Sequence, residues 1–167
     1  TPDARAIIAR VQDGPDRILT WRELYEQVSV WEQALKGAGI GEGDAVGVYL
    51  PNIPETIIIL LAASNLGAVF VSAGMEMGPA DLINRFSQAK PKILITAEGY
   101  VHGAKTISRT EAIERARKEI LSLKKIILLS EAKDFLALYK PEKIRFVRRD
   151  FNHPLYILFS SGSTGKP

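Results

Sequence analysis

The chain has 167 residues, 46% of them apolar and 25% charged, with a net charge of +3. So weak a bias gives no reason to expect nucleic acid or an anionic membrane as partner. The absence of cysteine excludes disulfides, thiolate metal sites and cysteine nucleophiles, and no apolar run approaches the roughly 20 residues that span a bilayer. In chain order, Ala6 to Val11 reads as a strand and 13–16 as turn chemistry. Ile18-Leu19 leads into a helix that Thr20 and Glu23 open with capping-box spacing. Leu24, Val28, Trp31 and Leu35 then share one helical face. Gly37 and Gly39 end that helix, since glycine tolerates a left-handed cap.

Ala45 to Leu50 reads as a buried strand. Asn52 is the expected N-cap of the next helix, with Pro54 in its first turn. Ile57 to Ala63 is apolar all round and is expected to be buried on most sides. Val69-Phe70-Val71 is a strand, Gly78-Pro79 opens a helix through Phe86, and Lys92 to Thr96 is a strand. Ser108 and Glu111 have capping-box spacing ahead of a helix with Ile113, Ala116, Ile120 and Leu123 inside and Glu111–Arg115 and Glu114–Lys118 pairs outside. Strands are expected at 126–129, 144–147 and 155–159, with a short helix near 133–138. This alternation predicts an α/β fold with a mainly parallel sheet flanked by helices. Such sheets place ligands beyond the carboxyl ends of their strands.

The last strand runs directly into Ser160-Ser161-Gly162-Ser163-Thr164-Gly165-Lys166-Pro167. Two glycines allow close backbone approach, successive N–H groups can cup an anion, and the hydroxyls and Lys166 add donors suited to a polyphosphate. On composition alone a flexible Gly/Ser linker is as good a reading, but linkers rarely begin at a core strand. A Walker A loop fails twice, because Ser160 stands where its first glycine belongs and Pro167 follows Lys166. A G-x-S-x-G elbow lacks its glycine at Ser161 and a later histidine, since His102 and His153 both precede the loop. No glycine fingerprint of a dinucleotide fold follows the first strand.

Phe159 through Pro167 resembles the phosphate-binding signature of the adenylate-forming superfamily, which holds the acyl-CoA synthetases, luciferases and peptide-synthetase adenylation domains. Leu19-Thr20-Trp21-Arg22-Glu23-Leu24, Gly43-Asp44-Ala45-Val46 with Leu50-Pro51-Asn52, and Ala63 through Val69 resemble its earlier segments in the same order. Within it the chain is most similar to the acetoacetyl-CoA synthetases, through Arg85-Phe86, Pro91-Lys92, Gly99-Tyr100-Val101 and His153-Pro154-Leu155-Tyr156. It departs from them after Val69, where Phe70-Val71-Ser72-Ala73-Gly74 and Glu76-Met77-Gly78 replace a Trp-Ser-Ser-Cys and Asp-Phe-Gly pattern.

The resemblance implies that residues 1–167 form part of a large N-terminal AMP-binding domain, the rest of which and the C-terminal domain lie outside this chain. It implies an AMP-forming acid–CoA ligase using ATP, Mg2+ and CoA on a small carboxylate, located in the cytoplasm. A carrier-protein ligase, an adenylation domain, or a non-catalytic module of the same fold are the alternatives. Ser161, Gly162, Ser163, Thr164, Gly165 and Lys166 are the implied phosphate contacts, with Lys166 equally readable as a solvated surface residue. No catalytic or metal-ligating residue is assigned within the chain. Taken by itself it is expected to be inactive and, with apolar surface and strand edges uncovered, to self-associate. His102, the Arg148-Arg149-Asp150 run and the basic residues of 115–125 read as solvated surface, and His153 as an extended residue before proline. Trp21 and Trp31 read as packing residues.

Overall fold

The computed structural model describes residues 1–10 and 15–159. A parallel five-stranded sheet forms the centre. Its strands are β3 (Ala45–Leu50), β4 (Val69–Gly74), β5 (Ile93–Thr96), β8 (Lys125–Leu128) and β9 (Tyr156–Ile157), in the order β8-β5-β3-β4-β9. The fold class read from the alternation is the one observed. An antiparallel pair, β1 (Arg5–Ala9) with β2 (Arg17–Thr20), precedes it, and a hairpin of β6 (Gly99–His102) and β7 (Lys105–Ser108) stands apart. The last residue of the first expected strand, Val11, and the start of the turn after it lie outside the described residues.

The helices are α1 (Trp21–Gly37), α2 (Pro54–Asn65), α3 (Pro79–Ala89), α4 (Thr110–Glu119) and the short α5 (Ala132–Leu136). They divide between the two faces because strand side chains alternate. Val46, Val48 and Leu50 of β3, with Ile93, Ile95 and Ile127, pack against Trp31, Leu35, Ile58, Ile59 and Ala62 of α1 and α2. Ala45 and Tyr49, with Val71, Ala73 and Leu94, pack against Leu82, Phe86, Ala112 and Ala116 of α3 and α4. Every residue of β3 is buried, as a strand covered on both faces requires. Gly47 lacks a side chain because α3 occupies that space: a Cβ there would sit 2.9 Å from the Phe86 ring and 3.2 Å from the Ile93 carbonyl oxygen.

α1 begins as its sequence dictates. The Thr20 hydroxyl accepts from the Glu23 N–H at 3.2 Å, and the Thr20 N–H donates to the Glu23 carboxylate at 2.8 Å. Two other caps differ from expectation. Ile53, not Asn52, precedes α2 and makes no side-chain cap, leaving Pro54 to start the helix. Arg109, not Ser108, precedes α4; the Ser108 hydroxyl lies 3.0 Å from that of Thr110, and Arg109 is drawn away to bond other loops. Outside α4, Arg115 pairs with Glu119 at 2.8 Å rather than with Glu111.

The strand expected at 144–147 does not form. The segment 140–145 instead runs along α1 and α2, its backbone held by side chains where a ladder would otherwise be needed. Gln33 donates to the Lys140 carbonyl at 2.7 Å, and Ser29 to that of Glu142 at 2.8 Å. Tyr25 accepts from the Ile144 N–H at 2.7 Å, and Asn65 donates to the Arg145 carbonyl at 3.0 Å. The chain thereby crosses from β8 at one edge of the sheet to β9 at the other.

α2 is less enclosed than its composition predicts: Ile58, Ile59, Ala62 and Ala63 are buried, but Ile57 and Leu61 are each 41% exposed. Leu61 borders an open groove of about 1250 Å³ that Trp21, Tyr25, Ile144, Phe146 and Val147 also line. Trp31 is a core residue, whereas Trp21 is exposed in this groove. No helix among the described residues is long and apolar enough to cross a membrane.

Candidate functional site

The strand order locates the place where a ligand can enter. From β3 the chain moves to β4 on one side, with α2 on one face; from β4 it returns past β3 to β5, with α3 on the other. β5 in turn leads on to β8, so the chain leaves the neighbouring strands β3 and β5 in opposite directions, the arrangement that places ligands at the carboxyl edge of such sheets. β9 pairs in parallel with β4, Phe70 opposite Tyr156 and Val71 opposite Ile157. β9 thus runs out to Phe159 at the same edge, the point from which the sequence continues into the glycine-rich segment. Ser161, Gly162, Ser163, Thr164, Gly165 and Lys166 themselves lie outside the described residues.

The surroundings of that point are built from residues the sequence reading passed over. Tyr49, near the end of β3, is fully buried and donates its hydroxyl to the Met77 carbonyl at 2.6 Å and lies 3.3 Å from that of Met75. Burial pushes its phenol above the ordinary range, against the opposing field and hydrogen bond of Arg109, so it remains a neutral donor. Thr96, buried at the end of β5, donates to the Tyr49 carbonyl at 2.9 Å. Arg109 reaches back from the end of the hairpin to donate to the Met75 carbonyl at 2.6 Å, and its guanidinium sits 5.2 Å from the centre of the Tyr100 ring. One tyrosine and one arginine thus tie the β4–α3 loop to both β3 and the β6–β7 hairpin. No periodic pattern announces such a tie; a tyrosine next to the end of an apolar strand is its faint trace in the sequence.

At the end of β9, Phe159 packs among the side chains of the α3 and α4 face, and the Arg85 guanidinium of α3 lies 5.4 Å from the centre of its ring. Arg85 Nε is buried and has no hydrogen-bond partner among the described residues.

The amino edge is held by charge. Asp44 meets Lys92 at 2.5 Å and accepts the Gly41 N–H at 3.0 Å. Burial opposes its charge, but these bonds and the fields of Lys92 and Lys124 prevail and hold the carboxyl below its ordinary value. Arg149, expected to be a solvated rim residue, pairs with Glu42 at 2.6 Å. His153 stands 2.9 Å from the Gly67 carbonyl oxygen; a carbonyl only accepts, so Nε2 carries the proton. His102 is exposed at the hairpin tip. Among the described residues no group of three or more His, Asp or Glu side chains could hold a metal ion.

A parallel sheet wound on both faces, with a glycine-rich segment leaving its edge strand, is the architecture of a nucleotide-handling α/β domain. The family model described as AMP-binding enzyme matches residues 1–167. An acetoacetyl-coenzyme A synthetase of Rhizobium meliloti (strain 1021) is 35% identical over 181 residues, which cover 100% of this chain and 28% of the relative. Acetyl-coenzyme A synthetase 1 of Candida albicans is 36% identical over 182 residues, covering 99% of this chain and 27% of that protein. The solved acetoacetyl-CoA synthetase from Streptomyces lividans superposes with a TM-score of 0.91 at 32% identity, covering 99% of this chain and 27% of that one. The chain belongs to the AMP-binding enzyme family. It spans about 28% of the length of the first of those relatives.

Proposed function

We propose that the protein carrying this chain is an AMP-forming acyl-CoA synthetase acting on a short-chain carboxylate. In this reaction the carboxylate oxygen attacks the α-phosphorus of ATP, pyrophosphate leaves, and the CoA thiolate then displaces AMP from the acyl-adenylate. The observation that carries the reading is the parallel pairing of β9 with β4, which brings Phe159, the last described residue before the glycine-rich segment, to the carboxyl edge of the sheet. Relatives named as acyl-CoA synthetases cover nearly the whole chain and support it.

In this reading the N–H groups and hydroxyls of Ser161, Gly162, Ser163, Thr164 and Gly165, with the charge of Lys166, grip the β- and γ-phosphates. Holding them orients the α-phosphorus for in-line attack and offsets charge on the departing pyrophosphate. Magnesium, when bound, neutralises phosphate charge, and its protein contacts are assigned to residues other than those described. Tyr49, Thr96 and Arg109 keep the crevice wall rigid, so the loops do not have to be ordered when ligand arrives. The acyl and CoA pockets and the C-terminal domain are assigned to polypeptide beyond this chain, and the cytoplasm is the proposed location.

The test is the full-length protein supplied with ATP, magnesium, CoA and, in turn, acetoacetate, acetate, propionate and 3-hydroxypropionate. Formation of acyl-CoA and AMP with one of these acids is the expected result. Transfer to a carrier protein but never to CoA would move the assignment to the carrier-protein ligases, and no acid-dependent AMP with any acceptor would leave a non-catalytic module.

A further inference from the structure

Residues 137–155 belong to no helix or strand, and of them only Ile144 is buried. The chain is held there all the same, and by a pattern. Tyr25, Ser29 and Gln33 are spaced four apart on α1 and so form one stripe along it. Gln33 donates to the Lys140 carbonyl at 2.7 Å. The buried Ser29 hydroxyl donates to the Glu142 carbonyl at 2.8 Å and accepts the N–H of the same residue at 2.9 Å. Tyr25 accepts from the Ile144 N–H at 2.7 Å. Each step of four back along the helix is therefore a step of two forward along the segment. Four helical residues advance about 6.0 Å and two extended residues about 6.6 Å, so the two rows stay in register. Pro141 and Lys143, between the held residues, are exposed. Asn65 of α2 adds a further hold, on the Arg145 carbonyl at 3.0 Å.

We propose that residues 140–145 are a latch: a strap that α1 and α2 hold in register and that opens and closes as one unit, with Ser29 as its central pin. Every hold takes a backbone group, so the helices read the course of the strap rather than its side chains. One hydrogen bond to an exposed segment does not offset the entropy of ordering the residues it holds. Several in register share that cost, because each fixes the spacing that the next one needs. Opening withdraws Ile144 from the core that it shares with α1 and α2 and gives the polar stripe to water. The sheet itself stays closed, since its central strand β3 is buried at every position by other residues. The latch stands apart from the reaction proposed above.

The experiment follows native-state hydrogen exchange of the full-length protein, resolved to single amides by mass spectrometry, in wild type, Ser29→Ala, Tyr25→Phe and Asn65→Ala. The Glu142 and Ile144 N–H groups are the probes, because different side chains hold them. Tyr25→Phe leaves the partner of Glu142 in place, yet should speed exchange there about tenfold, the order that the loss of one hydrogen bond gives. Ser29→Ala leaves the partner of Ile144 in place and should speed exchange there by at least as much. Asn65→Ala touches neither amide and should raise both rates. Amides of β3 and β5 should keep their wild-type rates in all three variants. Faster exchange only at the amide that lost its own partner would mean independent holds and would overturn the latch. Rates at both probes within twofold of wild type, or an equal rise in β3 and β5, would overturn it too. Should Ser29→Ala fail to fold, Tyr25→Phe and Asn65→Ala decide by the same comparison.

Discussion

At the scale of single residues, contacts with no room to spare make the sharpest predictions. Gly47→Ala adds one methyl that meets the Phe86 ring and the Ile93 carbonyl, an overpacking expected to cost about 1–3 kcal/mol. The double change Gly47→Ala with Phe86→Leu should recover part of the loss, and thermal unfolding of both variants checks this. Tyr49→Phe deletes the hydroxyl that the Met77 carbonyl accepts from at 2.6 Å, for about 1–2 kcal/mol. Asp44 makes a pH-dependent prediction. Its carboxyl is held low in the folded chain, so its contribution is complete above the unfolded value near 3.9 and disappears as pH falls through the folded value. Asp44→Asn should therefore lower stability at pH 7 by about 1–2 kcal/mol, the scale of charge-assisted hydrogen bonds. The gap between variant and parent in denaturation should shrink as pH is lowered from 7 into acid, through the lowered folded value of Asp44; a gap that does not change with pH would refute the role given to Lys92 and Gly41.

At the scale of elements, the period of the sequence settles most of the outcome. Leu24, Val28, Trp31 and Leu35 are the buried face of α1, as their spacing requires. The Thr20–Glu23 box is present in both directions, and Thr20→Ala should cost about 1 kcal/mol in urea unfolding. Two signals misled for physical reasons. Ser108 and Glu111 have the spacing of a box, but Arg109 stands at the cap and is committed to the Met75 carbonyl. The 144–147 segment has a strand's composition, yet side chains more than a hundred residues away satisfy its neighbourhood, as Tyr25 does for Ile144. Such long-range side-chain bonds leave no local pattern, and neither does the pairing of Arg85 with Phe159. The β6–β7 hairpin was missed because its two strands have four residues each, joined by a two-residue turn with Gly103 at φ +58°.

At the scale of the whole molecule, the sheet is covered on both faces, but its surroundings are not closed. Trp21, Leu61, Phe146 and Val147 stand exposed around one groove, and Tyr156 of β9 is 51% exposed at the sheet edge. With relatives more than three times as long, this surface is expected to make the chain self-associate when expressed by itself. Sedimentation should show species larger than 18.4 kDa whose share grows with concentration; a clean monomer at high concentration would contradict this. The class of the fold was legible from strand and helix periods, and so was the last strand that leads to the sheet's carboxyl edge. The loops that brace that edge were not, because buried tyrosine and arginine act across the fold.

The most direct test of the central claim is ATP–pyrophosphate exchange by the full-length protein, driven by its carboxylate, with wild type beside Thr164→Ala and Gly165→Val. Exchange in wild type, with KM for ATP raised about tenfold or more in both variants, is the predicted result. Exchange that is indifferent to both substitutions would contradict the assignment of the segment after β9 as the grip on the phosphates of ATP.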